Sequence, residues 1–484
     1  MDAYNGSVVK GDAGSSLVLS RSGEGADFEG RLVRLTRNQA VFELCNPSIV
    51  LRTSEVLPEF SIASGGRKLY SGRAVVRGVV HTGVAVVCDV TLSSEYWSDV
   101  DLGTALSRPP HLRDEYRAFL KGWERTARVL PEFKLVMGDL QSFFSELRLW
   151  LEQIELGIRS SPSSGSDELE RKVIDELAGP VVRSIDVFVD RFEELAERLD
   201  PEVVPFHQSY LRRSLHPWLL SSPFAYRAYH KPLGYAGDYE IVDMMLRPPY
   251  EGSTLFAKVL NVWLLGQAPA TAHRNRVDYL SRTLMQENLR LQRQGRGLRV
   301  FNMGCGPAAE VQRFLQSCAG SDQTAFTLVD FNEETLQYVR RWVSALKNDT
   351  GRIGTVSLVR KSVQTVLKEA VRSGRSPQEQ YDFVYCAGLF DYLPDPTCRR
   401  LMDVFYDMLA PEGLLLVTNV SDVMNRARPF RYSMEYMLDW YLTYRDGHAL
   451  ASLAPARAPR EQVRVIAEET GVNVFLEVRK PSHA

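Results

Sequence analysis

Val300-Phe301-Asn302-Met303-Gly304-Cys305-Gly306-Pro307-Ala308-Ala309-Glu310 reads as a strand, a glycine turn and the opening of a helix. Arg299 to Phe301 supply the strand, and Val311, Phe314 and Leu315 recur at helical spacing beyond the turn. Gly304 and Gly306 admit torsions and close approaches that a Cβ would block. Such a turn brings a ligand against backbone N–H groups at a helix N-terminus. It departs from the dinucleotide fingerprint, whose third glycine would fall at Ala309.

The residues downstream extend the pattern. Phe326 to Val329 form a second apolar strand ending in Asp330, a carboxylate placed to take two ribose hydroxyls. Asn332 and Glu333 can open the next helix. Val356 to Val359 read as a third strand, ending near Lys361-Ser362-Val363. Tyr381 to Cys386 form a fourth, ending in Ala387-Gly388. Pro411-Glu412-Gly413 reads as a turn before a fifth strand, Leu414 to Val417, which ends in Thr418-Asn419. Strands alternating with amphipathic helices imply a parallel sheet covered on both faces, with ligands at the carboxyl ends of the strands.

The Asn302-to-Pro307 turn, Asp330 and the Asp382-to-Gly388 strand resemble the S-adenosylmethionine motifs of class I methyltransferases over roughly residues 290 to 480. The resemblance implies a Rossmann-like α/β sheet. It also implies a cofactor site at Asn302, Gly304, Cys305, Gly306, Asp330, Asn332, Ser362, Val363, Ala387 and Gly388, with S-adenosylhomocysteine as product. Two positions depart from the family. Asn302 stands where an acid is usual near the methionine end, and Ser362 where an acid often reads the adenine amine.

Two segments narrow the resemblance: Tyr229-His230-Lys231-Pro232-Leu233-Gly234-Tyr235-Ala236-Gly237-Asp238-Tyr239-Glu240 and Ala387-Gly388-Leu389-Phe390-Asp391-Tyr392-Leu393. With Tyr436 to Tyr444 they are similar to the bacterial methyltransferases of 3-hydroxypalmitic acid methyl ester biosynthesis, a quorum-signal group. That likeness implies a cap over the cofactor and acceptor, adding Tyr235 and Gly237 to the cofactor set. Catalytic candidates are Tyr229, His230, Asp238, Asp391 and Tyr392. Acceptor-binding candidates are Tyr226, Lys231, Asn419, Tyr436, Trp440 and Arg445.

Composition agrees with a soluble enzyme of more than one domain. The chain has 484 residues, a formal net charge of −2 and a pI of about 6.5, with no basic bias toward nucleic acid. Met1 to Lys10 lack a signal-peptide pattern, and no run is long enough to span a membrane. The six cysteines (45, 88, 305, 318, 386 and 398) show no metal-ligand spacing. A cytoplasmic protein with free thiols and no metal is expected.

Residues 1–105 read as a small antiparallel β-barrel. Apolar and polar residues alternate in Leu32 to Leu35, Ala40 to Leu44, Tyr70 to Val76 and Val84 to Val87, with Gly65, Gly66, Gly72, Gly78 and Gly83 between the runs. The layout resembles a PilZ domain, whose members bind cyclic di-GMP. Here Arg31, Arg34 and Arg37 are spaced by three, and the Arg34-to-Gln39 turn lacks the family's acid, serine and glycine. A degenerate packing or dimerisation module is expected instead. Residues 106–290 read as a helical bundle with an active-site cap, offering surfaces for a homodimer. Asp167 with Glu170 marks a helix start. Val181, Ile185, Phe188, Phe192 and Leu195 give one apolar face, Phe143, Leu147, Leu151 and Ile154 another, and Ser160 to Gly165 join the two. Residues 291–484 form the methyltransferase part.

A carboxylate is already ionised at neutral pH, so forming a methyl ester needs alignment, orienting donors and exclusion of water, but no general base. A hydroxyl or protonated amine would need a base, with His230, Asp238 or Asp391 as candidates. The leading expectation is therefore a small-molecule methyltransferase acting on a 3-hydroxy fatty acid carboxylate. An N- or O-methyltransferase on a peptide-like or amine metabolite, and a non-catalytic S-adenosylmethionine-sensing scaffold, remain open at this stage.

Overall fold

The computed structural model describes residues 9–10, 16–22, 27–36, 38–46, 49–64, 67–81, 86–93, 97, 116–117, 120, 128–160, 166–318, 320–351, 354–373, 379–422 and 428–482. Arg37, Gly65, Gly66, Gly83 and the 161–165 joint lie outside them. The chain folds as two units. One holds residues 1–236, 250–264 and 430–441, and the other holds 237–249, 265–429 and 442–484.

The strands of the first unit are β1 (Val9–Lys10), β2 (Ser16–Arg21), β3 (Asp27–Leu35), β4 (Gln39–Leu44), β5 (Val56–Ser64), β6 (Arg67–His81) and β7 (Val86–Leu92) among the described residues, with period-2 alternation of buried and more exposed positions plain in β3, β4 and β7. The antiparallel order β3-β2-β5-β6-β7-β4 closes because β4 pairs back onto β3, leaving no edge among the six; β1 adds outside β3. Alternate residues fill the interior. Phe42 contacts Phe28 and Phe60 at ring-centroid distances of 6.0 and 5.7 Å, and Phe60 contacts Tyr70 at 6.2 Å. Gly30 is required on β3, because a Cβ there would lie 2.5 Å from the Phe42 ring. Arg31 faces outward and pairs with Glu43 across the β3–β4 ladder.

Among the described residues, helices of this unit include α1 (Pro131–Ser160), α2 (Ser166–Glu197), α3 (Val204–Leu219) and α4 (Pro223–His230). α2 begins one residue ahead of Asp167, which falls in its first turn. Its buried stripe is Val181, Ile185, Val189, Phe192 and Ala196, so Phe188 and Leu195 lie at its margin. On α1 the stripe runs through Phe144, Leu147, Leu151 and Ile158, with Phe143 and Ile154 at the margin. The next helices are α5 (Tyr239–Leu246), α6 (Leu255–Gly266) and α7 (Ala268–Gln292).

The second unit is an α/β sheet: β8 (Arg299–Met303), α8 (Ala309–Ser317), β9 (Ala325–Asp330), α9 (Glu333–Thr350), β10 (Thr355–Arg360), α10 (Val363–Ser373), β11 (Tyr381–Cys386), α11 (Asp395–Met408) and β12 (Leu409–Val420). Later come α12 (Arg431–Leu438), which belongs to the first unit, then α13 (Gly447–Ala451), β13 (Val463–Ala467) and β14 (Asn473–Arg479). The sheet order is β10-β9-β8-β11-β12-β14-β13, with β14 antiparallel to both of its neighbours and the first five strands parallel. One face packs Val300, Phe326, Phe383, Tyr385 and Leu416 against Leu284 of α7, Phe314 of α8 and Val339 of α9. On β8, Phe301 points the other way, to Phe405 of α11 at 6.2 Å.

Two features differ from the sequence expectation. Pro411-Glu412-Gly413 lies inside β12 as an irregularity: Glu412 has φ +63°, and the register against β11 shifts between Tyr381 and Phe383. β13 and β14 extend the sheet beyond the five expected strands. Among the described residues no helix is long and apolar enough to cross a membrane, and no group of three or more His, Cys, Asp or Glu could hold a metal ion.

Candidate active site

The strand order reverses between β8 and β11, which makes the crevice at their carboxyl ends the expected ligand site of such a sheet. The glycine turn lies there. Gly304, Gly306 and Ala308 all take left-handed torsions, with φ of +70°, +52° and +51°. Ala308 is the N-cap of α8 and adopts this conformation without a glycine's freedom. The turn is pinned on both sides. The N–H groups of Gly304 and Cys305 donate to the Val329 carbonyl at 2.8 and 3.0 Å, and Trp342 Nε1 donates to the Pro307 carbonyl at 3.1 Å.

Asp330 ends β9 beside this turn and is 6% exposed. Its Oδ2 accepts from the Gly306 N–H at 3.2 Å and its Oδ1 from the Asn332 N–H at 2.9 Å. Two amides thus fix the carboxylate plane. Asn332 then caps α9 through the Thr335 N–H. Ser362 caps the start of α10 through the Thr365 N–H at 3.2 Å, with Val363 buried behind it. Gly388 has φ +93°, and its N–H donates to Thr418 Oγ1 at 3.0 Å. Cys305 is buried, and that burial pushes its thiol well above the ordinary range.

Three residues outside the site expected from the sequence stand around the glycine turn and the end of β11. Glu310, in the first turn of α8, is buried; its Oε1 accepts from Tyr385 Oη at 2.7 Å and from Asn302 Nδ2 at 3.4 Å. Loss of hydration raises its carboxyl, against the lowering effect of the Tyr385 hydrogen bond. Asn302 Oδ1 is buried with no hydrogen-bond partner. Arg276 of α7 is also buried, and a Cβ on Gly388 would lie 2.9 Å from its Nη1. Its hydrogen bonds go to His273, whose ring is held neutral by burial first and by Arg276 second. Thr418, the third, orients Gly388. A glutamate inside an amphipathic helix and an arginine in a helix preceding the first strand carry no motif, so only tertiary placement reveals them.

Asp391 lies in the turn after β11 and is buried. Its Oδ1 accepts from the Val420 N–H at 2.6 Å, and burial raises its carboxyl to about 6 against the opposing pull of Arg276. Tyr392 follows in the same 3₁₀ turn. Arg445 donates to Asp395, Asn419 Oδ1 and the carbonyls of Phe390 and Leu393, which engages all five of its N–H groups. Asn419 Nδ2 in turn donates to the carbonyls of Val420 and Thr443. Through these bonds Arg445 and Asn419, expected to bind acceptor, fasten the Asp391 loop.

The cap divides between the units. Gly237 has φ +70°, and Asp238 caps α5 through the Ile241 N–H at 3.0 Å. Tyr239 Oη then reaches Glu334 on α9 at 2.8 Å, so this half of the cap packs at the end of the sheet that carries Asp330. The other half belongs to the first unit. Tyr226 is half-exposed and stacks on His230 at 4.1 Å, while His230 Nδ1 lies 2.9 Å from the Tyr226 carbonyl. Tyr229 packs on His216 at 4.5 Å. Lys231 is buried at a left-handed C-cap, its Nζ on the Leu438 carbonyl at 2.9 Å, and burial lowers its ammonium to about 7. The half-buried Tyr235 follows Gly234, whose carbonyl accepts from the Val56 N–H of the barrel. Tyr436 and Trp440 are buried, Tyr436 against Phe192 at 5.4 Å.

The chain is similar to several solved structures. One is a possible exported protein from Bordetella parapertussis (16% identity, 66% of this chain and 100% of that one, TM-score 0.43). Another is magnesium protoporphyrin IX methyltransferase from Synechocystis with bound S-adenosylhomocysteine (9% identity, 45% and 86%, TM-score 0.31). A third is an N-methyltransferase from Bradyrhizobium japonicum in complex with S-adenosylhomocysteine (15% identity, 50% and 98%, TM-score 0.29). No curated protein matches the sequence. Residues 300–413 match the family model described as a methyltransferase domain. That span runs from β8 into β12 and contains the glycine turn, Asp330 and the Gly388 strand end. Over that span the chain is similar to a methyltransferase domain.

Proposed function

We propose that the protein transfers a methyl group from S-adenosylmethionine to the carboxylate of a fatty acid, a 3-hydroxy acid in the leading reading, and releases a methyl ester. The observation that carries the cofactor part is Asp330, held by two amides at the tip of β9 beside the glycine turn. The donor set fits the cofactor. Asp330 suits a pair of ribose hydroxyls, Ser362 and Val363 border the adenine end, and Arg276 beside Gly388 offers a cation to the carboxylate of the methionine end. Asn302 Oδ1 is a buried acceptor awaiting a donor. When bound, S-adenosylmethionine supplies an electrophilic methyl group on a sulfonium.

The residues around the crevice then align an acceptor and keep water out. Three candidate bases are already engaged: Asp391 by the Val420 N–H, Asp238 as a helix cap, and His230 against the Tyr226 carbonyl. An acceptor that is already ionised needs no base. The likeness of Tyr229 to Glu240 to the methyl ester family supports the same acceptor. The second reading, an amine or hydroxyl acceptor, is favoured by Asp391, whose carboxyl at about 6 is suited to taking a proton at neutral pH. The barrel is read as a packing module, since Arg31 is engaged by Glu43. Supplying 3-hydroxy acids and amines in parallel with labelled S-adenosylmethionine separates the two acceptors: label in a base-labile ester supports the first, label in an amine the second.

A further inference from the structure

The methionine end of S-adenosylmethionine carries an ammonium as well as a carboxylate. Two buried groups beside the turn are suited to the ammonium. Asn302 Oδ1 is a buried acceptor with no donor, at the end of β8 and two residues before Gly304. Glu310 is a buried carboxyl whose side-chain hydrogen bonds come from two neutral groups, Tyr385 Oη and Asn302 Nδ2. Its ion pairing is limited to the fields of Arg276 and Arg313, and neither bonds to it: Arg276 is bonded to His273 and Arg313 to Asp278. A buried carboxylate without a bonded cation is costly, and a ligand ammonium in contact with it removes that cost. Asn302 and Tyr385 are register partners on β8 and β11, so the Asn302–Glu310–Tyr385 cluster sits at the strand-order reversal.

We propose that Glu310, with Asn302 Oδ1, receives the ammonium of S-adenosylmethionine, so that the acid recognising the amino-acid end comes from α8 and not from the end of β8. This rests on the reading that the crevice binds S-adenosylmethionine. Tyr385 acts as a positioning residue that fixes the carboxylate through its hydroxyl.

The test is calorimetric titration of the full chain and of Glu310→Gln and Tyr385→Phe with two ligands: S-adenosylhomocysteine, and methylthioadenosine, which lacks the amino-acid end. Glu310→Gln should weaken S-adenosylhomocysteine by about 30-fold or more, the scale for removing one partner of a buried charged pair. It should leave methylthioadenosine within about 2-fold. Tyr385→Phe keeps the charge and should give a smaller loss, again confined to S-adenosylhomocysteine. Equal losses for both ligands in Glu310→Gln, or unchanged S-adenosylhomocysteine affinity, overturns the assignment while leaving the cofactor reading intact. Failure of the unaltered protein to bind either ligand overturns both. Thermal melting of each variant separates lost binding from lost folding.

Discussion

At the scale of single residues, the site is organised by groups whose hydrogen bonds are engaged before any ligand arrives. Asp330 is oriented by the amides of Gly306 and Asn332, so its role does not depend on a mobile side chain. Asp330→Ala should therefore lower S-adenosylhomocysteine affinity by about 10-fold or more, the worth of hydrogen bonds to a charged group, and should also lower the melting temperature, because the Gly306 and Asn332 amides lose their acceptor. Titration calorimetry checks this, and retained affinity counts against the ribose role. Asp391 gives a second prediction. Burial lifts its folded-state carboxyl to about 6, above its ordinary value. A carboxyl raised on folding favours the folded state below the unfolded value, and that contribution is lost as pH rises through about 6. Asp391→Asn can still accept from Val420. Relative to this variant, the unaltered protein should lose up to about 3 kcal/mol of stability between pH 4 and pH 7, as measured by urea unfolding. A constant difference across that range contradicts the shift. Asp330, Gly304, Gly306 and Gly388 were legible in the sequence because backbone geometry demands their types at fixed distances from strands. Glu310 and Arg276 were not, because a buried charge in a helix looks like any solvated one until its neighbours are known.

At the scale of elements, strands β8 to β12 were legible because parallel strands buried on both faces are short apolar runs between helices. β13 and β14 were missed: Val463 to Ala467 and Asn473 to Arg479 mix charges with apolar residues and carry no turn signal tied to a site. The stripes of α1 and α2 were read about one position out, since periodicity gives the spacing of a face while tertiary packing selects its centre. α12 shows what the aromatic stretch near Tyr436 does locally. Buried Glu193 of α2 accepts from the N–H groups of Tyr432 and Ser433 and so satisfies the first turn of α12. Arg212 of α3 pairs with Asp439, just past its end, at 2.6 Å. Loss of hydration opposes the Asp439 charge, yet Arg212 holds its carboxyl below the usual range. Arg212→Ala leaves that charge buried and should destabilise the first unit by about 3–5 kcal/mol. The double variant with Asp439→Asn should recover part of the loss in urea unfolding, and an additive double variant contradicts the pairing.

At the scale of the whole molecule, the chain joins a closed barrel and long helices to an α/β sheet, and Asp330, Gly304, Gly306, Arg276 and Glu310 all lie in the sheet unit, whereas Tyr235 lies in the first. The acceptor proposal makes its own demand on pH. A carboxylate acceptor stays ionised well below neutrality, so turnover at saturating acceptor should persist at pH 5.5, whereas a base-assisted amine reaction should fall about tenfold per pH unit below the base's pKa. The most direct measurement is to incubate the purified chain with methyl-labelled S-adenosylmethionine and an extract of its own cells, and to identify the labelled product by mass. Stoichiometric S-adenosylhomocysteine and label in the methyl ester of a fatty acid are expected. Bound S-adenosylmethionine that is never converted to S-adenosylhomocysteine would contradict it.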